Sequence, residues 1–94
     1  MKYIDTQTGY TLTDDELYEI VDECITLDVY EEVVNDNECP VRLFNNERYE
    51  MGRVLRAVDP IYFSALRDEY VEFTVSEFKH GYESEYVHVR IERD

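Results

Sequence analysis

From Leu17 onward the apolar residues recur at three- and four-residue intervals, as Leu17, Ile20, Val21, Cys24 and Leu27. This is the spacing of one buried helical face. Immediately before them, Thr13-Asp14-Asp15-Glu16 has the form of a capping box, in which the threonine hydroxyl serves an orphan amide and the glutamate reaches back to the cap. The acids also favour the positive end of the helix dipole. Asp28 falls where the stripe would continue, so a kink or fresh helix start is expected there, with Asp28 as N-cap, Glu31 three residues later, and Tyr30, Val33 and Val34 facing the core. Asn35-Asp36-Asn37-Glu38-Cys39-Pro40 reads as loop.

Elsewhere the pattern is shorter in period. Lys2-Tyr3-Ile4-Asp5 and Tyr10-Thr11-Leu12 read as two short strands around the turn Thr6-Gln7-Thr8-Gly9. Val41-Arg42-Leu43-Phe44 and Glu47-Arg48-Tyr49-Glu50-Met51 resemble a hairpin with Asn45-Asn46 as a two-residue turn, and a helix over residues 47–58 is the competing reading. Gly52 marks the start of a short helix with Val54, Leu55 and Val58 inward. Asp59-Pro60 then supplies a favoured N-cap and first-turn proline. Ile61, Phe63, Leu66, Tyr70 and Phe73 form the expected buried side of that helix, and Lys79-His80-Gly81 its end. Tyr86 to Glu92 alternates as a closing strand. The fold class is therefore α+β, a small and mainly antiparallel sheet with two to four helices packed on one face. At 94 residues the chain forms one compact domain, 1–94.

Charge changes this picture most. The chain carries a formal net charge of −14, and residues 1–38 hold twelve acids against the single base Lys2. Residues 39–94 hold eleven acids and eight bases, with arginines at 42, 48, 53, 56 and 67. Nine tyrosines and four phenylalanines argue against disorder despite that charge. Such a protein should repel nucleic acid and anionic membranes and be drawn to basic surfaces. No stretch approaches the ~20 apolar residues of a membrane span, and the opening Met1-Lys2-Tyr3-Ile4-Asp5 lacks a signal-peptide apolar run, so a cytoplasmic location is expected. Cys24 and Cys39 lack zinc or redox spacing and are expected to be reduced.

Catalytic chemistry is sparse. His80 reads as a helix-end residue and His88 as a strand surface residue. Ser64, Ser76 and Ser84 lack an elbow motif, and three glycines make no phosphate loop. Asn35-Asp36-Asn37-Glu38 lacks the glycine and distal glutamate of an EF-hand. No enzyme activity, cofactor or metal is expected. The acids do form a pattern: Asp15, Glu19, Asp22 and Glu23 fall opposite the apolar stripe of the first helix, with Glu31, Glu32 and Asp36 beyond them. Four-residue spacing sets successive acids about 6 Å apart along a helix axis, comparable with the interval between phosphates measured along one strand. An ordinary solvated helix face is the alternative. Tyrosine suits interfaces through its apolar body and polar tip; Tyr18, beside the acids, Tyr62 and Tyr82 are the candidates for exposure, and Tyr30 and Tyr70 for the core.

The opening from Tyr3 to Leu17 and the segment Val54-Leu55-Arg56-Ala57-Val58-Asp59-Pro60-Ile61-Tyr62-Phe63 resemble small acidic proteins encoded by phages and prophages. The second segment is similar to a Leu-x-x-x-Asp-Pro-x-Ala-Tyr-like helix junction, with Tyr62-Phe63 in place of Ala-Tyr. The resemblance implies a stoichiometric inhibitor of the anti-CRISPR or anti-restriction DNA-mimic type, acting in the host cytoplasm. Its partner would be a basic nucleic-acid-binding host protein, a CRISPR effector or restriction complex, whose DNA-binding channel the acids occupy. The binding residues expected on this reading are Asp15, Tyr18, Glu19, Asp22, Glu23, Glu31, Glu32 and Asp36. The alternative is a phage regulatory or neutralising module that binds through tyrosines and arginines, notably Arg53, Arg56 and Tyr62, without DNA mimicry.

Overall fold

The computed structural model describes residues 1–37, 41–42 and 48–93. Strand β1 (Lys2–Asp5) leads through a tight turn into β2 (Thr11–Leu12). The turn closes where the Gly9 amide donates to the Asp5 carbonyl at 2.7 Å, with Gly9 at φ 80°, a left-handed conformation that glycine adopts without a Cβ clash. Helix α1 (Asp14–Cys24) opens on the expected capping box: the Glu16 amide donates to Thr13 Oγ1 at 3.2 Å and the Thr13 amide to Glu16 Oε1 at 3.1 Å.

The break after α1 is real, but its cap lies two residues before Asp28. Helix α2 (Leu27–Asn37) starts from Thr26, whose hydroxyl accepts the Val29 amide at 3.1 Å. Arg67 explains the position, because its guanidinium donates to the carbonyls of Ile25 (2.6 Å) and Asp22 and so terminates α1 there. Asp28 instead reaches Arg56 at 2.6 Å. Leu27, past the break, leaves the α1 stripe and is exposed. The helix also runs through Asn35, Asp36 and Asn37, where a loop is expected from sequence; the Asn37 side-chain Nδ2 donates to the Val33 carbonyl at 2.7 Å and holds the last turn. Glu38, Cys39 and Pro40 lie outside the described residues.

Strands β3 (Val41–Arg42) and β4 (Arg48–Tyr49) pair antiparallel, so a strand occupies the start of the segment for which a helix is the competing reading. Arg42 stands opposite Arg48, one residue out of the register that a two-residue Asn45-Asn46 turn would impose; that turn lies outside the described residues. Helices α3 (Met51–Val58) and α4 (Pro60–Lys79) follow, joined at Asp59, whose carboxylate accepts the Tyr62 amide at 3.0 Å. Strand β5 (Val89–Glu92) closes the sheet in the order β2-β1-β5, antiparallel throughout. It begins three residues later than the alternation suggests, because β1 offers only Lys2 to Asp5 as partners.

The sheet face bearing Tyr3, Leu12, Val89 and Ile91 turns to the helices, and Leu17, Val21, Ile25, Phe63, Val71, Val75 and Phe78 complete one core. Helix α1 lies along the C-terminal half of α4. The α2–α3 pair lies along its N-terminal half, where the Tyr30 ring sits 5.1 Å from Phe63 and 5.5 Å from Tyr70. The result is a rod of 54 × 22 × 21 Å.

Besides Leu27, three expected core positions are exposed instead. Val58 (78% exposed) ends α3 beyond Arg56, which already pairs with the first turn of α2. Ile61 (84%) lies two residues before the buried Phe63, and a two-residue step on a helix carries it ~200° round, to the far side. Phe73 (56%) sits at the margin of a buried face that runs through Phe63, Val71, Thr74, Val75 and Phe78. Among the described residues no helix is long and apolar enough to cross a membrane.

Candidate functional site

Helices α1 and α2 carry ten carboxylates (Asp14, Asp15, Glu16, Glu19, Asp22, Glu23, Asp28, Glu31, Glu32, Asp36) and no lysine or arginine. Four of the pairs they make are like charges at i, i+4: Asp15–Glu19, Glu19–Glu23, Asp28–Glu32 and Glu32–Asp36. Each such pair costs a helix ~0.2–0.5 kcal/mol. Acids in the last turns, at Asp22, Glu23 and Asp36, further oppose the helix dipole. A face that is merely solvated gains from interspersed bases; α1 and α2 themselves supply none.

The structure divides the expected binding residues. Asp15, Glu19 and Glu23 form an exposed row along α1, and Glu32 is exposed on α2; among the described residues none of these four takes part in an ion pair. Asp22 is different, since its carboxylate meets Arg67 Nη1 at 2.8 Å and helps fix the α1–α4 contact. Glu31 is half-buried in the α2–α3 seam, 3.6 Å from Arg56. Asp36 accepts from the Tyr86 hydroxyl at 3.4 Å. Tyr18 is exposed as expected but turns toward α4, lining a hollow with Glu72, Val75 and Lys79. Asp22 and Glu31 therefore serve the fold at least as much as any surface, a double role that spacing along one helix does not reveal.

His88 corrects its sequence-based placement at the strand surface. It is half-buried just before β5, with Nδ1 3.2 Å from Cys24 Sγ and Nε2 3.7 Å from Asp5 Oδ1. Nothing in the spacing of positions 5, 24 and 88 points to this meeting; it follows from the pairing of β1 with β5 and the docking of α1. Burial pushes the Cys24 thiol up, and its place at the C-terminal end of α1 disfavours a thiolate further. The thiol and Nδ1 are within hydrogen-bonding distance of each other, and Nε2 faces Asp5. This is a clasp between helix and sheet, with chemistry set against a nucleophile. His80 is the helix-end residue expected, its Nδ1 2.7 Å from the Ser76 carbonyl.

Asp5 is held below the ordinary carboxyl range by the Gln7 amide first, at 2.8 Å, then by Thr8 and by His88. A lowered folded-state value means that the stabilisation is complete above the unfolded value of about 3.9 and is lost as the pH falls through the lower folded one. Asp5→Asn should therefore be less stable than the parent at pH 7 in urea titrations, with the difference closing on acidification. A difference that persists unchanged into strong acid would show that the carboxylate's charge is not the source.

Comparison of the chain with protein-family models, with curated proteins and with solved structures gives no match in any of the three. The resemblance to acidic phage proteins thus rests on composition and on the two short segments alone.

Proposed function

We propose that the protein is a phage-encoded stoichiometric inhibitor that binds a basic nucleic-acid-binding host protein in the cytoplasm, a defence complex of the CRISPR-effector or restriction type. The acidic row of α1 stands in for DNA phosphates. The observation that carries this reading is the exposed row of Asp15, Glu19 and Glu23, which keeps like charges at i, i+4 at a cost to its own helix and, among the described residues, has no ion pair to offset it. The shape supports it. A charge of −14 over a 54 Å rod is one net charge per roughly 4 Å, close to the ~3.4 Å of helix axis that each phosphate of one nucleic-acid strand occupies and about half the axial charge density of a duplex. The reading is that of a binder, without turnover, cofactor or metal.

Asp22 is excluded from the test because Arg67 needs it. Asp15→Lys, Glu19→Lys and Glu23→Lys together each remove an attraction of ~0.5–1 kcal/mol and add a repulsion of similar size, so affinity for the host complex should fall at least ~100-fold. Retention of the complex from host lysate by the parent should also fall with added duplex DNA and with salt. Equal retention by parent and triple variant removes the mimicry.

A second reading, a neutralising or regulatory module without DNA mimicry, is favoured by the exposed corner of Val58, Ile61 and Tyr62, with Arg53 also exposed. On that reading Ile61→Ser with Tyr62→Ala abolishes capture of the partner and the α1 triple variant does not. Arg56, bound to Asp28 and Glu31, is the least available residue of that surface.

A further inference from the structure

A groove of about 400 Å³ runs between α4 and the segment that follows it. Its floor on α4 comes from Tyr70, Phe73, Thr74 and Glu77, which share one side of the helix at three- and four-residue spacing. Gly81, at φ 91°, turns the chain back so that Tyr82, Glu83, Glu85 and Tyr86 form the opposite wall. Four aromatic rings and three carboxylates therefore face one open space. Phe73 is 56% and Tyr82 64% exposed, so neither ring is engaged by the core. Tyr70 and Phe73 lie with centroids 6.0 Å apart and planes 30° from parallel. Glu83 is fixed in place by the Ile91 amide, which donates to its Oε1 at 2.6 Å.

We propose that this groove binds an arginine side chain presented by a basic protein partner. Aromatic faces attract cations through the ring quadrupole, and carboxylates at the rim supply the acceptors that a planar guanidinium can engage two at a time. Arginine fits better than lysine because its flat, weakly hydrated head stacks on a ring while its edge donates, whereas an ammonium keeps its water in so open a site. The field in the groove is negative. The Tyr86 hydroxyl is pushed up to about 12, by burial first and then by Glu85 and Asp36, and Tyr70 is raised by burial and again by Glu85. Beyond the ridge of Tyr70 and Phe73 lies a second hollow of about 380 Å³, walled by Tyr30, Val33 and Val34, where an apolar residue next to the arginine can rest.

The inference rests on reading the protein as a binder of basic proteins, but the groove is a different surface from the α1 row. A titration with a small peptide reads the groove without any host target, so failure here and failure of the α1 reading are told apart. The probe is the tripeptide acetyl-Gly-Arg-Gly-amide, with its lysine and citrulline counterparts, added to the isotope-labelled full chain and followed by NMR. Saturable shifts should appear at Phe73, Glu77, Tyr82 and Tyr86, with arginine about five-fold tighter than lysine and with no saturation by citrulline. Phe73→Ala, at an exposed site that leaves the fold intact, and separately Glu85→Gln, should each weaken arginine binding several-fold. Shifts confined to residues 15–23, equal affinity for lysine, or affinity unaltered in both variants would overturn the assignment, as would the absence of saturation at the groove.

Discussion

Replacing Arg67 with Met should destabilise the protein by about 3 kcal/mol, because one side chain serves four acceptors at the junction of three helices. Its Nε donates to the Ile25 carbonyl at 2.6 Å and its Nη2 to the Asp22 carbonyl; its Nη1 meets the Asp22 carboxylate at 2.8 Å and that of Asp68 at 3.0 Å. The two carbonyls close α1, where a helix has no donors of its own for its last C=O groups. Ile25 is fully buried, so its carbonyl gains little from water once the guanidinium is gone. The exposed pair with Asp68 contributes little by comparison. For a domain of this length the loss corresponds to a fall in Tm of more than ~12 °C. Arg67→Lys separates charge from geometry: the ammonium keeps the charge but lacks the fork that reaches two carbonyls and a carboxylate together. It should retain less than half of the stabilisation. A lysine variant that melts with the parent would mean that attraction to Asp22 and Asp68, and not the capping of α1, is what joins the helices.

Arg67 also shows where the sequence was legible and where it was not. Local chemistry could be read directly: the Thr13–Glu16 box, the Asp59-Pro60 start and the Gly9 turn each involve residues within four positions of one another. The α+β class followed from these and from the alternation in the first and last strands. What escaped was decided by partners distant in the chain. Asp28 looks like a cap, but Arg56, 28 residues away, takes its carboxylate, while Arg67 ends the preceding helix and hands the cap to Thr26. Ile61 and Phe73 are as apolar as any core residue, yet which side of a 20-residue helix is covered depends on where α1 and α2 dock along it. The same holds for the acids. Their count and spacing are visible in the sequence, but that Asp15, Glu19 and Glu23 stay exposed while Asp22 and Glu31 are engaged by arginines required the packing of α3 and α4. The His88 contact with Cys24 and Asp5 spans 64 and 83 positions and left no local trace.

Gly52→Ala should cost about 2–3 kcal/mol, although a helical glycine replaced by alanine ordinarily gains ~1 kcal/mol from helix propensity alone. The reason is the closeness of α2. A Cβ on residue 52 would lie 2.5 Å from the Glu31 carbonyl oxygen and 2.6 Å from Asn35 Oδ1. Asn35 can swing away, at the loss of its 2.7 Å bond from the Gly52 amide and its 2.7 Å bond to Glu50. The Glu31 carbonyl is backbone inside a helix and cannot. Combining Gly52→Ala with Asn35→Ala removes one clash and leaves the other, so the double variant should remain destabilised; recovery to the stability of Asn35→Ala alone would place the whole strain on the side chain. The outcome bears on function as well. Parting α3 from α2 frees Arg56 from Asp28 and Glu31 and exposes the seam, yet leaves the α1 row of Asp15, Glu19 and Glu23 on its own support against α4. If that row is the binding surface, Gly52→Ala should bind its target with undiminished affinity per folded molecule, whereas a partner that reads the α3–α4 corner should be lost along with the α2–α3 contact.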